Sequence, residues 1–393
     1  MIKNENNKNQ SIKIVYLTPH LFIGGAERLL IDVVKRLDRQ KFDISICCLK
    51  AGATEAEQWR KELEAKGISV RLLSNYNQGG NFITKVFRTM VIAWRLFKYL
   101  KEVSPDILQT QLSADIYRPI GRLARVPKII SIEHNLDKDE PRRIIFLKKL
   151  FRKSADRIIA VSTAVKQDVI KRYGYKAKII EVIYNGVDYG KFYNIRFDWR
   201  KVESPNYLWR FGAVGRLVPQ KGFDLLLTEL AQLPQAINWQ CSIAGVGRQE
   251  EGLKQLAEYL KITDKISFLG HVADVPKFLS SLDVFIVPSR WEGLGLVVLE
   301  AGAAGLPVFA SRVDGIKEII NDKKDGYLFK AEQKGQLAKY LNKSLSGDLR
   351  QLTNCAENLQ KKVKQEFSID QTVLQYENFY KQLIQVDENT SSQ

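Results

Sequence analysis

Short apolar runs alternate with segments of helical periodicity along nearly the whole chain. In the first half, IKIVYLT, FDISICCL, DILQT, KIISI and RIIAVS read as strands, each followed by a helical pattern such as GAERLLIDVVKRL or TAVKQDVIKRYG. The first helix repeats its apolar face at Leu29, Leu30, Val33, Val34 and Leu37, the spacing of a helix lying on a sheet. The alternation restarts at RFGAVG and continues through WQCSIAG, KISFLG, DVFIVPS and LPVFAS, each again followed by a helix. Repeated strand-helix units predict parallel, doubly wound sheets, and two series of them predict two sheets in an α/β chain. The weakly patterned stretch DYGKFYNIRFDWRKVESPNY between the series reads as a linker. The predicted domains therefore run from 1 to 195 and from 196 to 373, with a C-terminal helix at about 374–393 that can pack back on the first.

A length of 393 residues agrees with two domains, since single cores stop growing at roughly 250–300 residues. No apolar run is long enough to cross a bilayer, and the start MIKNENNKNQSIKIVYLTPH carries no extended apolar region before a cleavage site, so a cytoplasmic protein is expected. The four cysteines, Cys47, Cys48, Cys241 and Cys355, lack metal-site spacing and read as reduced core thiols.

Charge changes the picture once the chain is split. Residues 1–200 hold 38 Lys and Arg against 21 Asp and Glu, whereas the remainder holds 23 of each, so the whole net charge of +17 lies in the first half. Two segments there mix cations with apolar residues, TKVFRTMVIAWRLFKYLKE (84–102) and PRRIIFLKKLFRK (141–153). On a helical wheel the second places Arg142, Lys148, Lys149, Arg152 and Lys153 on one arc, with Ile144, Phe146, Leu147, Leu150 and Phe151 largely on the other. An ordinary helix on its own sheet would show the same division, and both descriptions can hold if the apolar arc packs inward while the cations face anionic lipid. A basic half would also suit nucleic acid, but no binding motif for it appears, and an anionic membrane surface is the preferred partner.

In doubly wound sheets ligands bind beyond the carboxyl ends of the strands, and several candidate motifs fall there. The loop FIGGAERLL follows the first strand, and Gly24 and Gly25 permit close approach of a phosphate or sugar to helix-terminal amides, though a tight turn explains them equally. In AGVGRQEEG the first two glycines of a dinucleotide fingerprint are present, but Glu250 stands where the third belongs, which argues against NAD. VGRLVPQKGFD brings Arg216 and Lys221 to the end of a strand, where a guanidinium and an ammonium can clamp a diphosphate. SRWEGLGLVVLEAGAAGLPVFASRVDG sets Glu292 in a glycine-rich loop and Glu300 among Val298, Leu299 and Ala301 in a stretch that looks buried. A carboxylate there needs a partner, since burying it alone costs several kcal/mol. Glu300 sits about 7 Å along the helix from its start, and two vicinal ribose hydroxyls would supply its hydrogen bonds.

EGLGLVVLEA with GLPVFAS after it, VGRL followed by KG, FLGHV, VFIVPS, IAVS, VIYNGVD and GGAER together resemble glycosyltransferase family 4, from Gly24 to about Gly326. The resemblance implies a GT-B fold, with two Rossmann-like domains facing across a cleft, and a retaining, hexosyltransferase-type enzyme that uses a nucleotide sugar, most commonly a UDP-sugar. It implies that Arg216 and Lys221 hold the donor diphosphate, that Glu292 orients donor-sugar hydroxyls, and that Glu300 binds the ribose. Gly215, Gly293, Leu294, Gly295 and Leu296 would line the donor, the last two offering backbone amides, and backbone groups near His271 and Val272 would read the base. His134, in SIEHNLD, matches the family's histidine near the transferred sugar, and His20 would line an acceptor pocket beside Gly24. Lys317 departs from the proline often found after this segment. Asp137-Lys138-Asp139 spells an acidic metal motif, but with two cations already placed for the diphosphate neither metal nor cofactor is expected. The implied acceptor is a glycan or lipid-linked acceptor in bacterial surface-polysaccharide or lipopolysaccharide assembly, at the inner face of the cytoplasmic membrane. A non-catalytic nucleotide-sugar-binding scaffold and a phosphorylase or epimerase of similar fold are the alternatives.

Overall fold

A computed structural model describes residues 11–20, 24–50, 54–74, 82–136, 138, 140–192, 207–347 and 349–390. The chain forms two compact units, one ending at Tyr184 and rejoined by Thr372 onward, the other Asn185–Gln371. The first division thus falls ahead of the expected 195, and most of the linker stretch, 193–206, lies outside the described residues.

The first unit is a seven-stranded parallel sheet ordered β3-β2-β1-β4-β5-β6-β7. Its strands are β1 (Ile12–Thr18), β2 (Phe42–Cys48), β3 (Ser69–Leu72), β4 (Ile107–Gln111), β5 (Lys128–Glu133), β6 (Arg157–Ala160) and β7 (Ile180–Val182). The helix Gly25–Val34 buries Leu29, Leu30, Val33 and Val34, the face that its periodicity predicts. The long helix Phe82–Val103 lays Ile92, Leu96, Tyr99 and Leu100 against Val15, Leu17, Leu108 and Ile129 of the sheet. The C-terminal helix Ile369–Thr390 closes this unit. Tyr380 from that helix donates to Gln109 Oε1 at 2.7 Å and lies 2.7 Å from the Tyr16 hydroxyl, all three fully buried.

The second unit is a six-stranded parallel sheet ordered β10-β9-β8-β11-β12-β13. Its strands are β8 (Trp209–Val214), β9 (Trp239–Ala244), β10 (Ile266–Gly270), β11 (Val284–Val287), β12 (Val308–Ser311) and β13 (Tyr327–Phe329). Phe211 and Trp239 stack with ring centroids 6.1 Å apart at the centre of an aromatic and aliphatic core. In both sheets the direction of winding reverses once, between β1 and β4 and between β8 and β11, and those reversals are the crevices where such sheets take ligands. All four cysteines are buried free thiols, as their lack of pattern predicts.

Two surface expectations need correcting. The helix Arg142–Leu150 turns Lys148 inward, not toward solvent: it is buried and meets Glu133 at 3.2 Å and Glu140 at 3.2 Å. Phe146 and Leu150 are exposed, so of the two readings of the apolar arc, packing inward on the sheet does not hold for these two. One buried lysine against two carboxylates anchors the helix, and at about 100° per residue that rotation carries Arg142, Arg143, Phe146, Lys149 and Leu150 outward together. The second correction concerns Glu300, which is half-buried rather than enclosed. Its helix, Leu296–Ala303, directs Val298, Leu299 and Ala301 into the core and leaves Glu300 on the flank.

Candidate active site

The two loops at the second sheet's reversal carry most of the candidate residues. One leaves β8 as Gly215-Arg216 and runs through the short turn Pro219–Lys221 into the helix Phe223–Leu230. The other leaves β11 at Pro288 and runs through Glu292 to the helix Leu296–Ala303. Gly222, at φ +66°, joins turn to helix so close to the second loop that a Cβ would stand 2.1 Å from the Pro288 carbonyl oxygen. Only glycine fits this approach.

The loops are fastened to each other by groups of both. Arg290 N donates to Gln220 O at 2.8 Å, Gln220 Nε2 donates to Trp291 O at 3.1 Å, and Arg290 Nη1 donates to Pro219 O at 2.9 Å. The Arg290 guanidinium also forms a two-pronged pair with Asp224, at 2.8 and 2.7 Å. Each partner favours the other's charged form, so the Asp224 carboxyl is held below its ordinary range by Arg290 against the effect of burial.

Glu292 is the buried carboxylate of this region, 6% exposed. Lys221 Nζ lies 2.6 Å from its Oε1, and Ser289 Oγ donates to the same oxygen at 2.7 Å. The charge question raised by the sequence thus applies to Glu292, and Lys221 answers it. Gly215 lets this happen, because a Cβ there would press on the Lys221 stem at 3.3 Å. Arg216 is exposed, with Nη2 3.4 Å from Gln220 Oε1. Gly293 and Leu294 are buried, and Gly295 at φ +102° opens the helix whose first residue is Leu296. Gly315 fits against the same loop, where a Cβ would fall 2.5 Å from Gly293 O. Lys317, in place of a proline, completes the short helix Asp314–Lys317 and pairs with Asp314 at 2.8 Å. His271 is exposed and Val272 half-buried, just beyond β10.

Four residues here carry no functional signal in the sequence. Arg290 and Ser289 hold the loops but carry no motif of their own. Gly245 and Gly247, discounted with the dinucleotide fingerprint, pack backbone against backbone on the β8 loop: a Cβ at Gly245 would lie 1.9 Å from Gly215 O, and at Gly247 2.3 Å from Leu217 O. Their purpose in the fold is close approach.

The remaining candidates belong to the first unit. His134 follows β5, and among the described residues neither ring nitrogen has a hydrogen-bond partner. It lines a small pocket with Tyr16, Gln109, Gln111 and Tyr376. Burial pushes its pKa down to about 4, with Asp115 pulling weakly the other way, so the ring is neutral at ordinary pH. His20 is half-buried, its Nδ1 3.8 Å from Glu27 Oε1, and burial lowers its pKa as well. Gly24 caps the helix Gly25–Val34, and the Glu27 carboxylate lies so close that a Cβ on Gly24 would stand 2.4 Å from Oε2. Glu27 thus packs against Gly24 in the first turn of that helix. Gly25 is exposed beside it.

A buried ionic cluster below β4 and β5 was also not foreseen. Asp115 accepts from Thr110 at 2.5 Å and Ser131 at 2.6 Å, while Arg118, fully buried, donates from Nε to the Asp115 carbonyl at 3.0 Å. Tyr173 donates to Glu140 at 2.5 Å beside Lys148. Burial, with a smaller push from Asp115, raises the Glu133 carboxyl to about 7 against the pull of Lys148. The acidic motif residues Asp137 and Asp139 lie outside the described residues, and among the described residues no group of three His, Cys, Asp or Glu side chains is placed to hold a metal.

Two parallel doubly wound sheets are the architecture of the GT-B class of glycosyltransferase folds, to which solved structures similar to this chain belong. The family described as "Glycosyl transferases group 1" matches residues 194–363, and "Glycosyltransferase Family 4" matches residues 23–191. The chain belongs to glycosyltransferase family 4. It is 27% identical over 340 residues to the UDP-Gal:alpha-D-GlcNAc-diphosphoundecaprenol alpha-1,3-galactosyltransferase of Escherichia coli, covering 81% of this chain and 84% of that enzyme. It is 25% identical over 319 residues to the lipopolysaccharide core biosynthesis glycosyltransferase LpsD of Rhizobium meliloti, covering 78% and 80%. Among solved structures, Anabaena Alr3699/HepE in complex with UDP-glucose superposes with a TM-score of 0.80 at 23% identity, over 94% of this chain and all of that one.

Proposed function

We propose that this glycosyltransferase transfers a hexose from a UDP-sugar, with retention of configuration and without a metal ion, to a hydroxyl of a lipid-linked or glycan acceptor in bacterial surface-polysaccharide or lipopolysaccharide assembly. The observation that carries this reading is the Lys221–Glu292 pair at the reversal of the second sheet. A cation and a carboxylate on two interlocked loops suit the two ends of a sugar diphosphate. In this account Lys221 turns its ammonium toward the diphosphate while Arg216, already exposed, closes on it from outside. Both neutralise charge that grows as the nucleotide leaves. Glu292 accepts hydrogen bonds from sugar hydroxyls, and the amides of Gly295 and Leu296 meet phosphate oxygens. Glu300, half-exposed on the same helix, takes the ribose hydroxyls. The neutral ring of His134 contributes a hydrogen bond toward the transferred sugar. The acceptor hydroxyl attacks from the face that the nucleotide leaves, and its proton passes to a donor phosphate oxygen, so no protein nucleophile is required.

The UDP-glucose complex of the Anabaena protein and the diphosphoundecaprenol substrate named for the Escherichia coli relative support the choice of donor and acceptor. The basic first half supports work at an anionic membrane surface, on the cytoplasmic side where nucleotide sugars are made. Calorimetric titration with UDP tests the donor site. Glu300→Ala should weaken binding about tenfold, the worth of a pair of hydrogen bonds to hydroxyls; unchanged affinity would remove the ribose role.

A further inference from the structure

Twelve large apolar side chains stand exposed among the described residues, and seven of them share one layer of the first unit. They are Val86, Phe87, Met90 and Trp94 on the helix Phe82–Val103, Leu123 on the helix Arg118–Leu123, and Phe146 and Leu150 on the helix Arg142–Leu150. All but Val86 are more than half exposed. These helices connect β3 to β4, β4 to β5 and β5 to β6, and right-handed crossovers in this strand order place all three on the same face of the sheet. The first two pack side by side, and the second touches the turn Arg152–Ser154 that ends the third.

Within the two longer helices the exposed apolar residues fall on one face. Phe87, Met90, Trp94, Lys98 and Lys101 recur at helical spacing along one stripe, opposite the buried stripe of Ile92, Leu96, Tyr99 and Leu100. Lys98 Nζ lies 4.1 Å from the centre of the Trp94 ring, an aromatic body under a cationic head. The helix Arg142–Leu150 repeats the arrangement, with Phe146 and Leu150 exposed between Arg142, Arg143 and Lys149. Arg125, Arg152 and Lys153 extend the cationic ground. Side chains apolar enough to bury, set among cations with Glu102 the one acidic residue in the three helices, fit a surface that is apolar within and negative at its rim.

We infer that this three-helix layer is a membrane-docking face, in which Phe87, Met90, Trp94, Phe146 and Leu150 enter the headgroup-acyl boundary of an anionic bilayer while the surrounding Lys and Arg meet lipid phosphates. It rests on the membrane part of the function proposed above and goes further in naming the surface and in making apolar insertion, as well as charge, responsible for binding. Attraction of each cation to an anionic surface and transfer of each apolar side chain out of water add to one another.

The test is sedimentation of the full chain with vesicles of phosphatidylcholine and phosphatidylglycerol in a 7:3 ratio. Brominated lipid is included to quench Trp94, and sedimentation velocity is run without lipid. The wild type should bind, with quenching, and the triple variant Phe87→Ser/Met90→Ser/Trp94→Ser should bind at least tenfold more weakly while its affinity for UDP is unchanged. A second variant, Arg142→Glu/Arg143→Glu/Lys149→Glu, should lose the preference for phosphatidylglycerol. If the wild type binds but the triple variant binds equally and Trp94 is not quenched, this face is wrong while membrane association stands. If the wild type binds no vesicles, both fall. A dimer that the triple variant abolishes, without vesicle binding, would make the layer an interface between two copies instead.

Discussion

Lys221 and Glu292 tie two loops together, and in the function proposed above the same pair meets the donor. The carboxylate is nearly enclosed, and its lysine partner keeps only a small opening to solvent, 17% of its side chain. Removing one member of such a pair strands the other. Lys221→Met should therefore lower stability by about 2–4 kcal/mol, and Lys221→Met/Glu292→Gln should recover much of it. Denaturant melts of the four proteins of this cycle measure the coupling, and strictly additive losses would show that the pair is not energetically real. Turnover should fall on the order of 10² in either lysine variant, recovered stability notwithstanding. His134 gives a second residue-scale test. Its folded pKa of about 4 lies below the ordinary 6.5, so between those values the unfolded chain holds a proton that the folded chain does not. Stability from this group is present above about pH 6.5 and is lost as pH falls toward 4, a loss of about 3 kcal/mol when complete. His134→Gln should flatten that part of the wild-type stability profile, and identical slopes would mean that the ring is not buried neutral. Of these residues Arg216, Lys221, Glu292 and His134 were legible because they stand in motifs. Arg290 and Ser289 were not, because a residue that only ties two loops together shows its partner in space and not in sequence.

At the scale of elements, periodicity found the long helices and the central strands, yet passed over β3, β7 and β13. All three are edge strands of three or four residues; β3 has no buried position and β7 buries only Ile180, so neither carries the apolar run that marked the equally short β6, β11 and β12. The helix Arg142–Leu150 was legible as a helix but not in its rotation. A wheel assigns lysines outward, and two buried carboxylates, Glu133 and Glu140, reversed that for Lys148. The C-terminal helix joins the first unit through the chain Tyr16–Tyr380–Gln109, closed to water along its length. Tyr380→Phe keeps the ring but strands the Tyr16 hydroxyl and the Gln109 oxygen, and should cost about 1–3 kcal/mol. A variant as stable as wild type in thermal melts would show that those groups find other partners.

Across the whole molecule the charge is divided unevenly, a strongly basic unit with an apolar-cationic outer layer and a weakly basic one carrying the lysine-glutamate pair. Both sheets and their order of appearance were legible from the restart of the strand-helix pattern. The point of reversal in each, which makes a crevice of a strand end, became visible only with the strand order. The proposed function requires the loops of the second sheet to act on a sugar diphosphate without help from a metal. The most direct measurement is to follow UDP-hexoses with the wild-type chain in EDTA by proton NMR, watching the anomeric signals of donor and product. One UDP-hexose should be consumed, at a rate indifferent to EDTA, with the first-formed product keeping the donor's anomeric configuration. Inverted product, or turnover abolished by EDTA and restored by a divalent cation, would contradict the account.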